Sequence, residues 1–498
     1  MRFQRLLALL LLTAVALPGL PARGATPSAP FLLDEEPRCT ETAPDVAFLP
    51  GGGFAAVWGG SRPQPLLASP AVYLRLFDRD GRPLGPETLL TSETEQPARP
   101  AVAANAGGTF LVVWGDSRGE GTVQGRLFNA SGSSLGEAFE ISARSPRGGV
   151  DVTAEPGGGF AVVWANKDSI LLRRYGPTGE ALDAEQWLLG FAGVPEDTFP
   201  QGYDPAVVAH GPAGLAVAFS DAAARSFSDP TLRGGNLGLM LVKPGQEPPY
   251  IHIGTFGLDP VPVPQRLPRP SLAVGAAGRV FVVWREQTPE GLVLRGRIYT
   301  ALGDPLGDAF RLDLGAWDEL SGPSVATDGS GNFLLAWLGA PTGAQPEGAR
   351  VYVRRFGADG NPLGGQEPVS SLFPSFDTTT SPALTVDPMG RALIAWGTGR
   401  PLPPIVGAPF QCFSEGIYGQ ILDPATPLDL PLQGGRFLAG VRWADHAGRT
   451  GVGQPVALTG DSGYFWFFDE NNAELVVKVL DGRAVNGHYW VFYGALSD

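Results

Sequence analysis

The sequence has little of several things that functional sites and particular fold classes depend on. Two cysteines, four histidines and three methionines stand in 498 residues, which leaves no Cys/His framework of the kind a structural zinc site requires. The four histidines, His210, His252, His446 and His488, show neither an i, i+4 nor an H-x-H spacing, and no metal or cofactor is expected. Positive charge is also short. With Lys+Arg 36 against Asp+Glu 50 the net charge is −14, and no basic stripe exists to neutralise phosphates, so nucleic acid is excluded as a partner. No apolar run reaches the ~20 residues of a membrane-spanning helix. Glycine and proline are abundant, at 69 and 48, beside 43% hydrophobic content. That is a packed core cut by many turns, and it excludes both collagen and disorder.

Arg2 and Arg5 precede an apolar run from Leu6 to Leu17, and Ala22-Arg23-Gly24 follows with small residues at the −3 and −1 positions of a signal-peptidase site. The expectation is a signal peptide over residues 1–24 and a secreted or periplasmic mature chain that is more acidic still. No cysteine directly follows the apolar run, which argues against a lipid anchor.

Internal repetition is plain. Six segments end in tryptophan: Pro44 to Trp58, Pro100 to Trp114, Val150 to Trp164, Pro270 to Trp284, Pro323 to Trp337 and Pro382 to Trp396. A seventh, Pro205 to Phe219, ends in phenylalanine. The spacing is roughly 50 to 65 residues, the period of propeller and solenoid arrays. A second signature recurs downstream, as in Tyr73 to Gly85, Val123 to Gly136, Arg295 to Gly307 and Val351 to Gly364. Each unit reads as four short strands with Gly-rich turns. The second strand, such as Phe110 to Trp114, is apolar without alternation and so is covered on both faces.

Four strands per unit at this period predict an all-β fold, a seven-bladed β-propeller over residues 25–430. The units also resemble the tandem W-ended repeats of exported bacterial proteins that are expected to form propeller blades, a resemblance covering roughly Ala43 to Asp423. The tryptophans are then inter-blade core. The last unit lacks a fourth strand after Ile417 to Leu422, whereas Ala29 to Glu36 (APFLLDEE) looks like the fourth strand Pro86 to Glu93 (PETLLTSE). The N-terminal strand Phe31 to Leu33 is therefore expected to complete blade seven. Cys39 and Cys412 flank that junction, and a disulfide between them fits an exported chain.

Beyond Gly434-Gly435 the pattern changes. Arg436 to Trp443, Gly463 to Phe468, Glu474 to Leu480 and His488 to Leu496 read as four strands of a small β-sandwich over residues 434–498. GDSGYFWFFD and ELVVKVLDG resemble a module found at the ends of exported bacterial proteins of unknown function. Members of that family continue with further strands, so an exposed edge or a pairing partner is expected.

Two motifs imitate catalytic ones. Gly460 to Gly463 spells GDSG, but about 65 residues cannot hold the two barrels of a chymotrypsin-like triad. Gly115 to Gly119 matches G-x-S-x-G, yet Ser117 lies between two strands and not between a strand and a helix.

Long loops occupy one face: Gly59 to Ala71, Gly190 to Asp204, Ser220 to Asn236, Thr255 to Arg269 and Gly397 to Gly416. Binding usually lives on such loops. The candidate ligand-binding residues there are Asp116, Arg118, Tyr203, Asp204, Asp221, Arg225, Arg285, Glu286, Trp317 and Asp318, a mixture of charge and aromatics suited to a glycan or protein ligand. The leading expectation is a non-catalytic binding protein. A propeller hydrolase or lyase using loop-face carboxylates is the first alternative, and a structural envelope component the second. One outcome is already testable: reduction of the mature chain should lower its melting temperature and split the Cys39–Cys412 cross-link in a peptide map, and an unchanged map and melt would refute the disulfide.

Overall fold

The computed structural model describes residues 30–35, 42–61, 70–92, 97–116, 121–143, 149–166, 169–190, 205–211, 214–221, 233–258, 269–289, 291–328, 331–343, 349–363, 365–369, 381–387, 390–398, 416–422, 430–432, 437–439, 441–444, 450–452, 454–466 and 473–495. Cys39, Cys412 and residues 1–24 lie outside them. The chain divides into two compact units, one spanning Ser28–Ile421 and one that includes Leu422–Asp498.

The larger unit begins with β1 (Phe31–Leu32). Successive antiparallel sheets follow, the first five with their strands side by side in chain order. The first is β2 (Thr42–Phe48), β3 (Phe54–Ser61), β4 (Pro70–Phe77) and β5 (Thr88–Leu89). The second is β6 (Pro97–Ala104), β7 (Phe110–Asp116), β8 (Thr122–Phe128) and β9 (Phe139–Ser142), and the third β10 (Val150–Ala154), β11 (Phe160–Ala165), β12 (Ser169–Tyr175) and β13 (Gln186–Gly190). The fourth is β14 (Ala206–His210), β15 (Gly214–Asp221), β16 (Arg233–Val242) and β17 (Tyr250–Leu258), and the fifth β18 (Ser271–Val274), β19 (Val280–Thr288), β20 (Gly291–Tyr299) and β21 (Phe310–Arg311). The sixth is five-stranded: β22 (Trp317–Leu320) and β23 (Ser324–Thr327) both pair with β24 (Phe333–Pro341), followed by β25 (Arg350–Phe356) and β26 (Glu367–Pro368). The last holds β27 (Ala383–Val386), β28 (Ala392–Thr398) and β29 (Gly416–Leu422), with β1 paired to β29.

The first strands touch in a closed cycle, β2 to β6, β10, β14, β18, β23, β27 and back to β2. This is a β-propeller. Its cohesion comes from apolar clusters that draw on two successive sheets, because each second strand is buried on both faces. Val162 and Trp164 pack with Leu111 and Val113, whereas Ala161 and Val163 of the same strand pack with Leu215 and Val217. Trp58, Trp114, Trp164, Trp337 and Trp396 are among the largest fully buried side chains, each worth about 3 to 5 kcal/mol against truncation to alanine.

The junction of the two ends follows the same rules as every other sheet. Leu33 N–H donates to the Ile417 carbonyl at 2.8 Å, as Leu90 does to Val72 and Leu312 to Leu294. Asp34 Oδ1 accepts from Ile417 N–H at 3.1 Å, the position filled by Thr91 Oγ1 toward Val72 and by Asp313 Oδ1 toward Leu294. Arg75 Nη1 donates to the Leu33 carbonyl at 3.3 Å, as Arg173 does to Ile141 and Arg354 to Leu312. The segment Phe31 to Asp34 is thus a fourth strand in these hydrogen bonds. Gly81, at φ +83, makes room for it: a Cβ there would stand 2.7 Å from the Phe31 ring.

A buried cation fastens the same junction from the other end. Arg391 pairs with Asp387 at 2.8 Å, donates to the Arg79 and Gly52 carbonyls at 3.0 and 2.9 Å, and lies over the Phe48 ring.

In the smaller unit, β30 (Leu430–Leu432) pairs with β31 (Phe437–Ala439) and β32 (Arg442–Ala444) with β33 (Thr450–Val452). A four-stranded sheet follows, β34 (Gln454–Thr459), β35 (Ser462–Trp466), β36 (Leu475–Gly482) and β37 (His488–Ala495), with the short helix α1 (Arg483–Asn486) before the last strand. The segment expected as one strand, Arg436 to Trp443, contains Gly440 and supplies two separate strands outside that sheet. The sheet's fourth member is Gln454–Thr459, which Pro455 disguises in the sequence. Trp490, Val491, Phe492 and Tyr493 are exposed along β37.

Arg391→Ala, which leaves Asp387 buried without its cation, should cost about 3 to 5 kcal/mol in equilibrium denaturation. Arg82→Ala, which removes an exposed ion pair with Asp80, should cost under about 1 kcal/mol.

Candidate functional site

A proline stands at the register shift within the first strand, Pro44 and Pro100, or just before that strand, Pro205, Pro270, Pro323 and Pro382, with Val150 in the third sheet. Proline suits these places because it has no N–H to offer the ladder. The residue after it varies around the cycle: Asp45, Ala101, Asp151, Ala206, Ser271, Ser324 and Ala383. These residues line one cavity of about 290 Å³ at the centre of the propeller, together with Ala43, Arg99, Gly149, Arg269, Ser381 and Leu384. First and second strands are antiparallel, Val150 standing opposite Trp164. The mouth therefore opens at the end where the second strands finish and the long connections begin.

The polar side chains of this ring bridge successive sheets. Asp45 Oδ2 accepts from Val102 N–H at 2.7 Å and Asp151 Oδ2 from Val207 N–H at 2.8 Å. Ser271 Oγ accepts from Val325 N–H at 3.1 Å, and the Ser324 hydroxyl donates to the Pro382 carbonyl. Where the position is alanine the belt has no side-chain link. Two backbone outliers lie beside it: Ala43 at φ 49 and Arg99 at φ 40, both inside register shifts of the first strand against the second. These bulges carry the strand starts across the mouth.

Burial between the inner strands pushes the Asp45 carboxyl up to about 6, against the pull of the Val102 and Val46 N–H groups. Asp151 is pushed up to about 7, first by burial and further by the charge of Asp45, against the Val207 and Val152 N–H groups. The site thus holds two half-buried carboxyls that feel one another and titrate near neutrality. Among the described residues no three His, Cys, Asp or Glu side chains form a group able to hold a metal ion, and no helix is long and apolar enough to cross a membrane.

None of the described loop-face candidates lines this cavity. Asp116 ends β7 opposite Pro97. Glu286 pairs with Arg295 at 2.9 Å and accepts from the Trp284 indole. Arg285 is buried and donates to the Leu320 carbonyl at 3.0 Å. Trp317 belongs to β22, not to a loop; it is 6% exposed, donates to Asp313 Oδ2 at 2.8 Å and meets Trp337 and Tyr352 edge-on. Asp318 is exposed and caps Gly343 N–H at 2.8 Å. Asp221 ends β15 opposite Asn236. Arg118, Tyr203, Asp204 and Arg225 lie outside the described residues. The ring residues are visible in the aligned repeats as a polar interruption (PDV, VDV, PSL, PSV) at a position otherwise alanine, a signal that loop length does not carry.

No family model and no curated protein sequence matches the chain. Among solved structures, a protein of unknown function from Dyadobacter fermentans is similar at 12% identity and TM-score 0.45, over 80% of this chain and 99% of that one. The polysaccharide lyase Uly1 is similar at 11% identity and TM-score 0.46, over 77% and 90%. The α-L-arabinofuranosidase Arb93A of Fusarium graminearum is similar at 11% identity and TM-score 0.40, over 80% and 98%. No residue role is carried over from likenesses of this strength.

Asp45 and Asp151 bind their protons more tightly folded than unfolded. Their contribution therefore favours the folded state at low pH and is lost as pH rises through about 6 and 7. Asp45→Asn with Asp151→Asn should flatten that part of the profile, making the variant relatively more stable at pH 8 than at pH 5 in urea titrations. An unaltered pH dependence would show that the two carboxyls titrate as ordinary exposed ones.

Proposed function

We propose that this chain is an exported, non-catalytic binding protein whose seven-bladed propeller, closed by the N-terminal strand, presents its channel mouth and long-loop face to a glycan or protein ligand. The observation that carries this reading is the mouth itself. It is concave, formed by a cycle of strand starts that hydrogen bonds hold in place, and lined by carboxylates, hydroxyls and guanidinium groups rather than by a single charge. A preformed polar concavity on a rigid scaffold is what oriented binding requires. In the same proposal residues 1–24 direct export, Cys39 and Cys412 form a disulfide, and the smaller unit serves as a contact or attachment module.

A second reading has its own support. Two half-buried carboxyls whose affinities for protons are raised to different extents are the raw material of general acid and base catalysis. On that reading Asp45 and Asp151 act on a glycosidic linkage as hydrolase or lyase. Against it, both already accept backbone N–H groups from the next sheet, a structural task sufficient to account for their presence.

The deciding experiment is a glycan and peptidoglycan array on residues 25–498, with product analysis of every hit. A ligand bound and returned intact, with graded loss of affinity in Asp45→Asn and Asp151→Asn, supports binding. Cleaved product, with turnover lost by more than about a hundredfold in either variant, supports the enzyme. Silence across the array favours a protein partner or a structural envelope role.

A further inference from the structure

Cationic donors and carboxylate acceptors share the rim of the mouth. Arg99 stands immediately before Pro100 within the second sheet's first strand and Arg269 before Pro270 at the start of the fifth, both half-buried and both lining the cavity. The chain as a whole is acidic, yet it sets two arginines here and no lysine among the described lining residues. Arg99 is held at φ 40 within a bulge, a backbone state that costs a non-glycine residue of order 1 to 3 kcal/mol and concentrates at working sites. Gly322 packs closely beside the Arg269 side of the rim: a Cβ there would lie 2.5 Å from Ser381 Oγ and 3.4 Å from Arg269 Cβ.

Resting on the binding reading, we propose that the mouth selects an acidic oligosaccharide, its carboxylates taken by Arg99 and Arg269 and its hydroxyls by Asp45 and Asp151. A guanidinium presents five N–H donors in a planar fork, so a protein partner for either arginine still leaves donors for a ligand carboxylate. A carboxylate has about four lone-pair sites, and the N–H groups of Val102, Val152 and Val207 occupy only part of those on Asp45 and Asp151. Sugar hydroxyls are suited to the remainder. An acidic peptide brings carboxylates, but its donors are main-chain N–H groups, one to a residue, whereas each sugar ring carries several hydroxyls, and a neutral glycan gains no charge pairing from the cations. The two arginines belong to sheets that are not neighbours in the cycle, so a ligand meeting both must span the mouth, as a run of linked uronic acid residues does.

Calorimetry on the mature chain, residues 25–498, with trigalacturonate and with the same trisaccharide after carboxyl reduction tests this. Trigalacturonate should bind at least tenfold more tightly than its reduced form. Arg99→Asn, chosen because asparagine tolerates the left-handed backbone, and Arg269→Gln should each weaken trigalacturonate about tenfold or more, with the unfolding midpoint unchanged. Equal binding of the two trisaccharides, or arginine variants that bind as the parent does, overturns the acidic-ligand inference and leaves the binding reading standing. Preference for polyglutamate over trigalacturonate also overturns it, in favour of an acidic protein. Failure of these probes and of every glycan on the array overturns the acidic-ligand inference and leaves a protein partner or a structural role.

Discussion

A row of sheets packed face to face has two loose ends, and the pairing of Phe31 to Leu33 with Gly416–Leu422 joins them. Without that pairing the first and last sheets would each present an uncovered apolar face. With it, Leu33, Val46, Phe54, Trp58, Leu393 and Ile417 form one cluster across the join. The central cavity depends on the same pairing, because its lining comes from the start of every first strand around the cycle. The Arg391 clasp, which reaches Arg79 and Gly52 from Asp387, works at the opposite end of the same seam.

The mouth combines two demands that usually compete. The ring position after proline has to bond the neighbouring sheet, which favours a side chain whose hydrogen bonds are fully used within the protein. It also faces open space, which favours spare hydrogen-bonding capacity. Aspartate meets both, having more lone pairs than one or two N–H groups consume. The cost appears as raised proton affinity at Asp45 and Asp151, where burial, and at Asp151 also the charge of Asp45, outweighs the N–H groups that favour the ionised form.

The fold was largely legible in the sequence because the repeat is enforced by packing: a second strand covered on both faces has to be continuously apolar, and FAAVW, FLVVW and FAVVW show that directly. The closing strand was legible for a similar reason, since FLLD and TLLT meet the same hydrogen-bonding partners. The site was less so. Arg285 and Trp317 look like loop residues in a one-dimensional reading, but Arg285 spans to the Leu320 carbonyl of the next sheet and Trp317 adds an extra strand to the sixth. Neither its burial nor its indole bond to Asp313 can be inferred from neighbours in the chain. The ring itself is assembled from positions some 50 residues apart, and only superposed repeats reveal that Asp45, Asp151, Ser271 and Ser324 hold equivalent places.

The bond from Ile417 N–H to Asp34 joins groups 383 residues apart in the chain. Nearly the whole polypeptide must be synthesised before the earliest strand finds its partner, so Phe31 to Asp34 has to wait, apolar and unpaired, while the sheets between assemble in order. Topologies dominated by such distant contacts fold slowly. Four residues at one end are thus what the last sheet lacks until that late pairing forms, and losing their bonds to β29 would open the ring at a single place.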